Sequence, residues 1–429
     1  MLKKIQNLFF HSALIKGSLV VFIGAMIANF GMYLFHVLTG RLLGPVDYGL
    51  LVSLISLTYF LGLPVGILAL VLVRFVSRER DKEKVATFVK EFFQKAAIGG
   101  AVILMFFLLL FPLLRNLVKV DSFWLYLGIG VFSYLGIFVA VFTSSLQGLL
   151  KFDQLSFLGI FNSWSKLVIV LLLVFLGFKV GGAILGMVIG TLLTVVLGYV
   201  FVSRCLVFKS DPKVNLKSAF ESIGSYSLAV FLNNVSLTSL YTVDIILARF
   251  FLSPLQAGYY AALSSLGKII FFASSPIASV MFPLVSSKES QGQAYGKTLL
   301  ASFTLVFIIS FGITCLYFFF PELMVSLLYG KQYLEAGQNL GIFAVFISLY
   351  SLSSLLLNFF LSISKTRIVV FPAVMAIVQI IAICIYHTSL NQIILVNLSV
   401  STILFVGLLL YFLKHLGNIR IPLKYLLAK

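Results

Sequence analysis

Residues 155–203 read LSFLGIFNSWSKLVIVLLLVFLGFKVGGAILGMVIGTLLTVVLGYVFVS, and the only charged residues among them are Lys166 and Lys179. One helix needs about 20 apolar residues to cross the hydrocarbon core of a bilayer, so this stretch is long enough for two crossings. The whole chain of 429 residues is 61% hydrophobic and 10% charged, with a mean hydropathy of +1.12. Soluble domains carry roughly 25% charged residues. The sequence therefore predicts an integral membrane protein.

The same hydropathy criterion, applied along the whole chain, predicts further spans that take up most of its length. No connection between them is long enough for a soluble domain. We therefore expect an all-α polytopic membrane protein with twelve transmembrane helices, at 17–39, 50–75, 95–115, 123–147, 155–177, 181–203, 226–248, 258–282, 298–320, 338–361, 368–387 and 390–412.

Basic residues outnumber acidic ones by 31 to 13, which gives a formal net charge of +18. They lie at the ends of the apolar runs and not on polar elements, as nucleic-acid-binding proteins carry them, so no nucleic-acid partner is predicted. Most of them fall on the side that holds both termini, and the opposite side holds Arg41, Arg115, Lys119, Lys179, Arg249 and Lys331. Because cytoplasmic loops are enriched in Lys and Arg, we expect cytoplasmic N- and C-termini and a place in the cytoplasmic membrane.

The two halves of the chain share anchors that recur 209 residues apart: Pro45, Gly49 and Pro112 as Pro254, Gly258 and Pro321. Each half holds six predicted spans, so both halves have the same orientation and an axis along the membrane normal relates them. We expect two pseudo-symmetric six-helix lobes, residues 1–210 and 211–429, around a central cavity. Each begins with a basic amphipathic segment, 1–16 and 213–224. This architecture favours a transporter that works by alternating access.

Two lysines lie near the middle of predicted spans, Lys166 in the fifth and Lys268 in the eighth. A charge at the bilayer centre costs about 2.5–3.5 kcal/mol on insertion scales, so each needs a physical reason. One interpretation is an electropositive surface that binds an anionic substrate. The other is a helix-packing lysine that pairs with a carbonyl or a carboxylate. Because acidic partners are scarce within the spans, the binding interpretation is favoured.

Three arginines near span ends are further substrate-binding candidates. Arg74 lies near the cytoplasmic end of the second span, where it either lines the inner mouth or belongs to the topological cluster of basic residues. Arg41 and Arg249 occupy equivalent positions at the outer ends of the first and seventh spans. On one interpretation they hold the outer loops closed or contact substrate at the outer gate. On the other they cap the C-terminus of the preceding helix.

Asp244 is the only carboxylate well inside an apolar run, and His36 occupies the equivalent place in the first half. A carboxylate in low dielectric can exchange a proton or bind Na⁺, so both residues are candidates for ion coupling. The alternative for Asp244 is a local ion pair with Arg249.

Amides within the spans more often bridge helices than contact ligand; they include Asn29, Gln147, Asn162, Asn233, Asn234, Asn358 and Gln379. The chain holds no metal-binding or phosphate-loop motif of the HExxH, CxxC or GxxxxGK[ST] type. We therefore predict no metal and no cofactor other than a coupling H⁺ or Na⁺.

The run TGRLLGPVDYG at 39–49 resembles the signature of polysaccharide-biosynthesis flippases, the O-antigen-type exporters of the multidrug/oligosaccharidyl-lipid/polysaccharide superfamily. The runs ARFFLSPLQAGYY at 248–260 and FPELMVSLLYGKQYLEA at 320–336 are similar to later junctions of that family. The resemblance implies two six-helix lobes that move undecaprenyl-pyrophosphate-linked oligosaccharide from the inner to the outer leaflet. It also implies pathway partners, a glycan polymerase and glycosyltransferases. Twelve spans favour the O-antigen-type branch over the fourteen-helix lipid II branch.

Two other functions fit this sequence less well than a flippase. A multidrug exporter of the same superfamily that moves organic cations would be expected to place carboxylates in its cavity, and these spans hold mainly lysine. A membrane-embedded glycan polymerase or glycosyltransferase would need paired acid and base residues or a sizeable outer loop. The sequence has neither, so we expect a transporter and not an enzyme.

Overall fold

The computed structural model describes residues 2–79, 81–206 and 225–414, so the predicted amphipathic segment 213–224 lies outside the described residues. Within these ranges, ten helices are long and apolar enough to cross a membrane. Two of them, Leu19–Arg78 and Phe152–Cys205, are 60 and 54 residues long. Each is interrupted at a glycine and long enough for two crossings. The described part of the chain therefore provides twelve crossings, and the predicted all-α polytopic fold is confirmed.

The helices are numbered here in chain order. They are α1 (Leu2–Arg78), α2 (Lys82–Leu109), α3 (Phe111–Val118), α4 (Phe123–Gly148), α5 (Phe152–Leu173), α6 (Lys179–Cys205), α7 (Ser225–Leu240), α8 (Val243–Phe251), α9 (Pro254–Ser290), α10 (Gly296–Phe319), α11 (Pro321–Leu328), α12 (Leu340–Ser362), α13 (Val370–Ile385) and α14 (Leu390–Lys414). A π-helical turn, Val174–Phe178, joins α5 to α6, and 3₁₀ segments Lys331–Asn339 and Thr366–Val369 precede α12 and α13.

The loop expected between the first two spans is reduced to a break at a single residue. Gly44 has φ 75° and ψ 171° inside α1, a conformation that glycine adopts without the steric cost of a Cβ. Pro45 follows at once, and proline suits the first position of a new helical segment because its missing N–H would have no partner there. Gly177 makes the comparable break in the π-helical turn, with φ 92°.

The repeated prolines begin equivalent short helices in the two halves. The long helix α2 is followed by α3, an eight-residue helix with Pro112 in its first turn. The long helix α10 is followed by α11, also of eight residues, which begins at Pro321. The same order of long and short helices in both halves agrees with the duplication that the sequence predicts.

The chain packs into two compact units. The first comprises Met1–Leu43 and Leu57–Gly224. In it, α5 packs against α1, where the Trp164 indole donates to the carbonyl of Ile27 at 3.2 Å and Ser156 donates to Val20 at 3.1 Å. A second core joins the end of α1 to α2 and α4, with the rings of Phe75 and Phe88 stacked 3.7 Å apart.

The second unit comprises Gly44–Ser56 and Ser225–Lys429. Helix α12 packs against α9, α10 and α14. Segment 44–56, from the first repeat, lies in this unit, where the Tyr48 hydroxyl is 2.7 Å from Ser265 Oγ. The predicted lobe boundary at residues 210 and 211 falls outside the described residues and stays a prediction.

Candidate functional site

A break in a membrane helix forms the centre of the candidate site. The seventh span, expected to be continuous over 226–248, is interrupted at Tyr241 and Thr242, between the end of α7 and the start of α8. A break within the hydrocarbon frees backbone groups that must find partners inside the protein. The Tyr350 hydroxyl donates to the carbonyl of Leu237 at 3.1 Å, and Gln379 Nε2 donates to that of Leu240 at 2.9 Å. Side chains from α12 and α13 therefore stabilise the end of α7.

Asp244, in the first turn of α8, is 1% exposed. It accepts hydrogen bonds from the Tyr260 hydroxyl at 2.5 Å, from Asn397 Nδ2 at 3.3 Å and from the backbone N–H of Ile245 at 2.9 Å. Asn397 Nδ2 is also 2.6 Å from the Tyr260 hydroxyl, and Gln379 Nε2 donates to Asn397 Oδ1 at 2.8 Å. We call these four residues, Asp244, Tyr260, Gln379 and Asn397, the Asp244 network. It joins α8, α9, α13 and α14.

Two buried oxygen atoms in or next to this network accept no hydrogen bond among the described residues. They are Thr242 Oγ1, two residues before Asp244, and Gln379 Oε1, within the network. A buried polar atom without a partner costs roughly 1–3 kcal/mol, so its retention needs a reason. Together with the Asp244 carboxylate, these oxygens are the type of ligand that hard cations bind. Discontinuous membrane helices bind coupling ions in other transporters.

Lys268 lies on α9 and is 9% exposed. Its ammonium is 5.1 Å from the centroid of the Tyr241 ring, and Asp244 attracts its charge electrostatically. Tyr241 in turn packs against Phe271 and Tyr350, with ring centroids 5.8 and 5.7 Å away. The structure thus brings Asp244 and Lys268, predicted independently from the sequence, to the same helix break.

Lys166 lies on α5 in the other unit and is 6% exposed. Its stem packs against α6 at Gly190, where a Cβ would come within 2.8 Å of Lys166 Cγ. The ammonium lies 5.6 Å from the centroid of Phe132 and makes no hydrogen bond or ion pair with the described residues. A cation–π contact contributes about 0.5–2 kcal/mol, less than the several kcal/mol that burial of an ion costs. One turn earlier, Asn162 Oδ1 is also buried without a hydrogen-bond partner.

The other predicted site residues occupy different environments. Arg249 is 5% exposed and is attracted by the carboxylate of Asp47. Asp244 has no ion pair with it among its described contacts, so the alternative of a local Asp244–Arg249 pair is wrong. Arg41 and Arg74 are exposed, and His36 is half-buried with its ring 5.2 Å from Phe35. Their roles stay predictions.

Sequence reasoning missed three members of this site. Tyr260 and Thr242 carry no signal of their own, because hydroxyls are common in membrane helices. Asn397 does carry one, since it is an amide in the middle of the apolar run ILVNLSV. Gln379 was expected to bridge helices, and it donates hydrogen bonds to α7 and α14.

Solved structures with the same fold come from membrane transporters. An inward-facing multidrug resistance MATE family transporter of the MOP superfamily matches with a TM-score of 0.71 at 14% identity, over 92% of this chain and 99% of that one. The lipid II flippase MurJ, in an inward closed conformation, matches with a TM-score of 0.69 at 16% identity, over 95% of this chain and 90% of that one. The chain therefore has the fold of these transporters.

Sequence comparison identifies relatives as well. The membrane protein MJ1375 of Methanocaldococcus jannaschii is 24% identical over 377 residues, which cover 80% of this chain and 84% of that protein. The model of a family described as "Polysaccharide biosynthesis protein" matches residues 37–338. Because that match takes in well over half of the sequence, the chain belongs to the polysaccharide biosynthesis protein family.

Proposed function

We propose that this protein is a flippase that moves polyprenyl-pyrophosphate-linked oligosaccharide from the inner to the outer leaflet of the cytoplasmic membrane. It works by alternating access of two lobes and is coupled to H⁺ or Na⁺. Membership of the polysaccharide biosynthesis family and the transporter fold support this proposal. The observation that carries it is the Lys166 ammonium, which is buried in a membrane helix without a hydrogen bond or ion pair among the described residues.

A diphosphate group is the substrate feature that fits the buried lysines. An ammonium donates charge-assisted hydrogen bonds to phosphate oxygens, and these are about twice as strong as neutral ones. Lys166 and Lys268 each lie near the middle of a membrane helix, where lipid headgroups do not reach. The polyprenyl tail would stay in the bilayer while the headgroup crosses inside the protein.

Coupling to a cation is supported by the Asp244 network. The carboxylate of Asp244 lies at a helix break. Two nearby oxygen atoms, Thr242 Oγ1 and Gln379 Oε1, accept no hydrogen bond among the described residues. A proton would add a donor to the carboxylate, and Na⁺ would take several of these oxygens as ligands. His36 occupies the position in the first repeat that is equivalent to Asp244, and it is a second candidate for ion coupling.

A multidrug exporter is the second candidate function, since the MATE transporter shares the fold. Its proposed cargo here would be organic cations. The buried charged residues of the described spans include Lys166, Lys268, Arg249 and Asp244, and the three basic residues would repel such a cargo. The anionic headgroup is therefore favoured.

The function is tested with purified protein in liposomes that contain a fluorescent polyprenyl-diphosphate oligosaccharide. A membrane-impermeant quencher reports the fraction of lipid in the outer leaflet over time. We expect flipping to be faster than in protein-free liposomes and to depend on an imposed H⁺ or Na⁺ gradient. A rate equal to that of empty liposomes under every gradient would exclude the flippase function, and equally fast flipping of a neutral polyprenyl glycoside would exclude recognition of the diphosphate.

The proposed orientation predicts which loops react with an impermeant maleimide. In a background without Cys205, Cys315 and Cys384, cysteines replace the exposed residues Lys84 and Gln291 on the predicted cytoplasmic side. Exposed Asp121 and Gln338 are replaced on the predicted outer side. Intact cells should label the second pair only, and the first pair should react after lysis. Labelling of either member of the first pair in intact cells would contradict the topology.

Replacement of Asp244 with Asn is expected to remove the dependence of transport on the ion gradient. The amide keeps the size of the carboxylate but cannot take a proton or balance the charge of Na⁺. In the liposome assay, the D244N variant should flip lipid at the same low rate with and without a gradient.

Asp121→Asn is the matched control for this substitution. Asp121 is an exposed carboxylate that pairs with Arg115 at 3.0 Å, outside the spans, and should keep the gradient dependence of the wild type. Retention of that dependence by D244N would refute ion coupling at Asp244.

A further inference from the structure

Helix α9 contacts the break between α7 and α8 at two points. The Tyr260 hydroxyl donates to Asp244 at 2.5 Å. Lys268, two turns further along the same helix, places its ammonium 5.1 Å from the centroid of Tyr241. Tyr241 begins the break and precedes Asp244 by three residues. The carboxylate and the ammonium therefore belong to one buried polar region, which α9 and the helix break form together.

Within this region the two charges act on each other. The ionised carboxylate of Asp244 attracts the ammonium of Lys268, and such attraction is strong where protein excludes water. Described groups around Asp244 and Lys268 include phenols and amides, which are uncharged near neutral pH. They are Tyr241 at the break, Tyr260 on α9, Tyr350 on α12, Gln379 on α13 and Asn397 on α14.

Lys166 provides the contrast. It is buried to a similar extent, 6% exposed against 9% for Lys268. No carboxylate among the described residues acts on its charge, and its described partner is the Phe132 ring. Of the two lysines proposed to bind the substrate, Lys166 has no compensating carboxylate among the described residues, whereas Lys268 is compensated by Asp244, which is itself the candidate cation site.

We propose that a cation bound at Asp244, either H⁺ or Na⁺, raises the affinity of Lys268 for the diphosphate group of the substrate. This inference rests on the proposed function, because it takes Lys268 as a substrate contact. With Asp244 ionised and empty, its charge opposes the approach of an anion to Lys268. A cation on the carboxylate removes that opposition, because Asp244 then no longer offsets the positive charge of Lys268. Because coupling between two binding sites is reciprocal, the diphosphate raises the affinity for the cation by the same factor.

The test measures binding of farnesyl diphosphate to the purified full-length protein in lipid nanodiscs. Its dissociation constant is determined at low and high Na⁺, with choline holding the ionic strength constant, and at pH 6 and pH 8. Farnesol, which lacks the diphosphate, controls for binding through the isoprenoid chain. We expect affinity for farnesyl diphosphate to rise at least about fivefold when the coupling cation is supplied, the lower end of typical coupling between sites. Dependence on Na⁺ identifies sodium, and dependence on pH alone identifies the proton.

Three variants locate the effect. Asp244→Asn mimics the neutralised carboxylate and should bind farnesyl diphosphate tightly under every condition. Lys268→Gln should bind it weakly, with no response to the cation. Lys166→Gln is the matched control, which should bind weakly but keep the full response. Thermal unfolding of each variant in the same nanodiscs shows whether it is folded. If D244N does not fold, the cation response of Lys268→Gln decides the test.

The outcomes separate this inference from the proposed function. Binding of farnesyl diphosphate that ignores both cations, or a full cation response in Lys268→Gln, would overturn the charge coupling and leave the flippase proposal standing. Failure of the wild type to bind farnesyl diphosphate under any condition would overturn the proposed substrate class, and the inference would fall with it.

Discussion

Replacement of Lys166 and Lys268 together with alanine is expected to abolish export of the lipid-linked glycan while the protein stays in the membrane. Both lysines are more than nine-tenths buried. A hydrogen bond to a charged group contributes about 1.5–3 kcal/mol, so the loss of two such contacts should weaken headgroup binding by more than about 100-fold. Surface glycan in cells that express the variant, and flipping in liposomes, measure the effect.

Stability measurements on the same variants distinguish a binding role from a packing role. A buried ammonium without a partner destabilises the fold, so Lys166→Met, which keeps an aliphatic stem against Gly190, should unfold at the same temperature as the wild type or higher. A lysine retained for packing would give the opposite result. Lys331→Ala, at an exposed position outside the helices of the core, is the control and should export normally. Normal export by the double alanine variant would refute the role of both lysines.

Much of the fold follows from hydropathy alone. In a bilayer each span must satisfy its backbone hydrogen bonds internally, so a long apolar run has few structures open to it. The twelve crossings are predictable for that reason. Hydropathy misses some helix boundaries: the span predicted over 95–115 is divided, since α2 ends at Leu109 and Pro112 lies in the first turn of a new short helix. Pro321 begins the equivalent short helix in the second half. Burial of Lys166 and Lys268 follows from their position within apolar runs.

The helix break at Tyr241 is different. It lies in the run SLYTVDIIL, which contains no glycine or proline, so no local residue preference marks it. Its freed carbonyls are satisfied by Tyr350 and Gln379, from helices more than a hundred residues away in sequence. A break of this kind depends on tertiary contacts, and a single sequence does not reveal which distant side chains supply them.

The contact between the two repeated motifs is likewise not predictable from the sequence. Pro45 and Gly49 match Pro254 and Gly258 in the duplication, yet the sequence does not indicate that the matched glycines touch. A Cβ on Gly49 would come within 2.8 Å of Gly258 Cα. Segment 44–56 is held there by Tyr48, whose hydroxyl is 2.7 Å from Ser265 Oγ and 3.2 Å from the Tyr329 hydroxyl. The close approach of two backbones explains why both positions are glycine.

Substitution of Gly258 with alanine is expected to destabilise the second unit and reduce export. The new methyl group would collide with the backbone carbonyl of Pro45, which cannot move aside as a flexible side chain can. Segment 44–56 would have to shift, and this shift would weaken the hydrogen bonds of Tyr48 to Ser265 and Tyr329. Overpacking of this kind costs about 1–3 kcal/mol. The unfolding temperature of the purified protein in detergent measures the loss.

Gly136→Ala provides the matched control within α4. Apart from its two chain neighbours and the backbone of its own helix, no atom lies within 4 Å of a Cβ built on Gly136, and alanine is favoured over glycine in a helix by roughly 0.5–1 kcal/mol. This variant should therefore unfold at the wild-type temperature or slightly above it, whereas Gly258→Ala should unfold below it. The comparison isolates the clash because both substitutions add the same methyl group to a helical glycine. Equal unfolding temperatures for the two variants would show that segment 44–56 is not held tightly against α9.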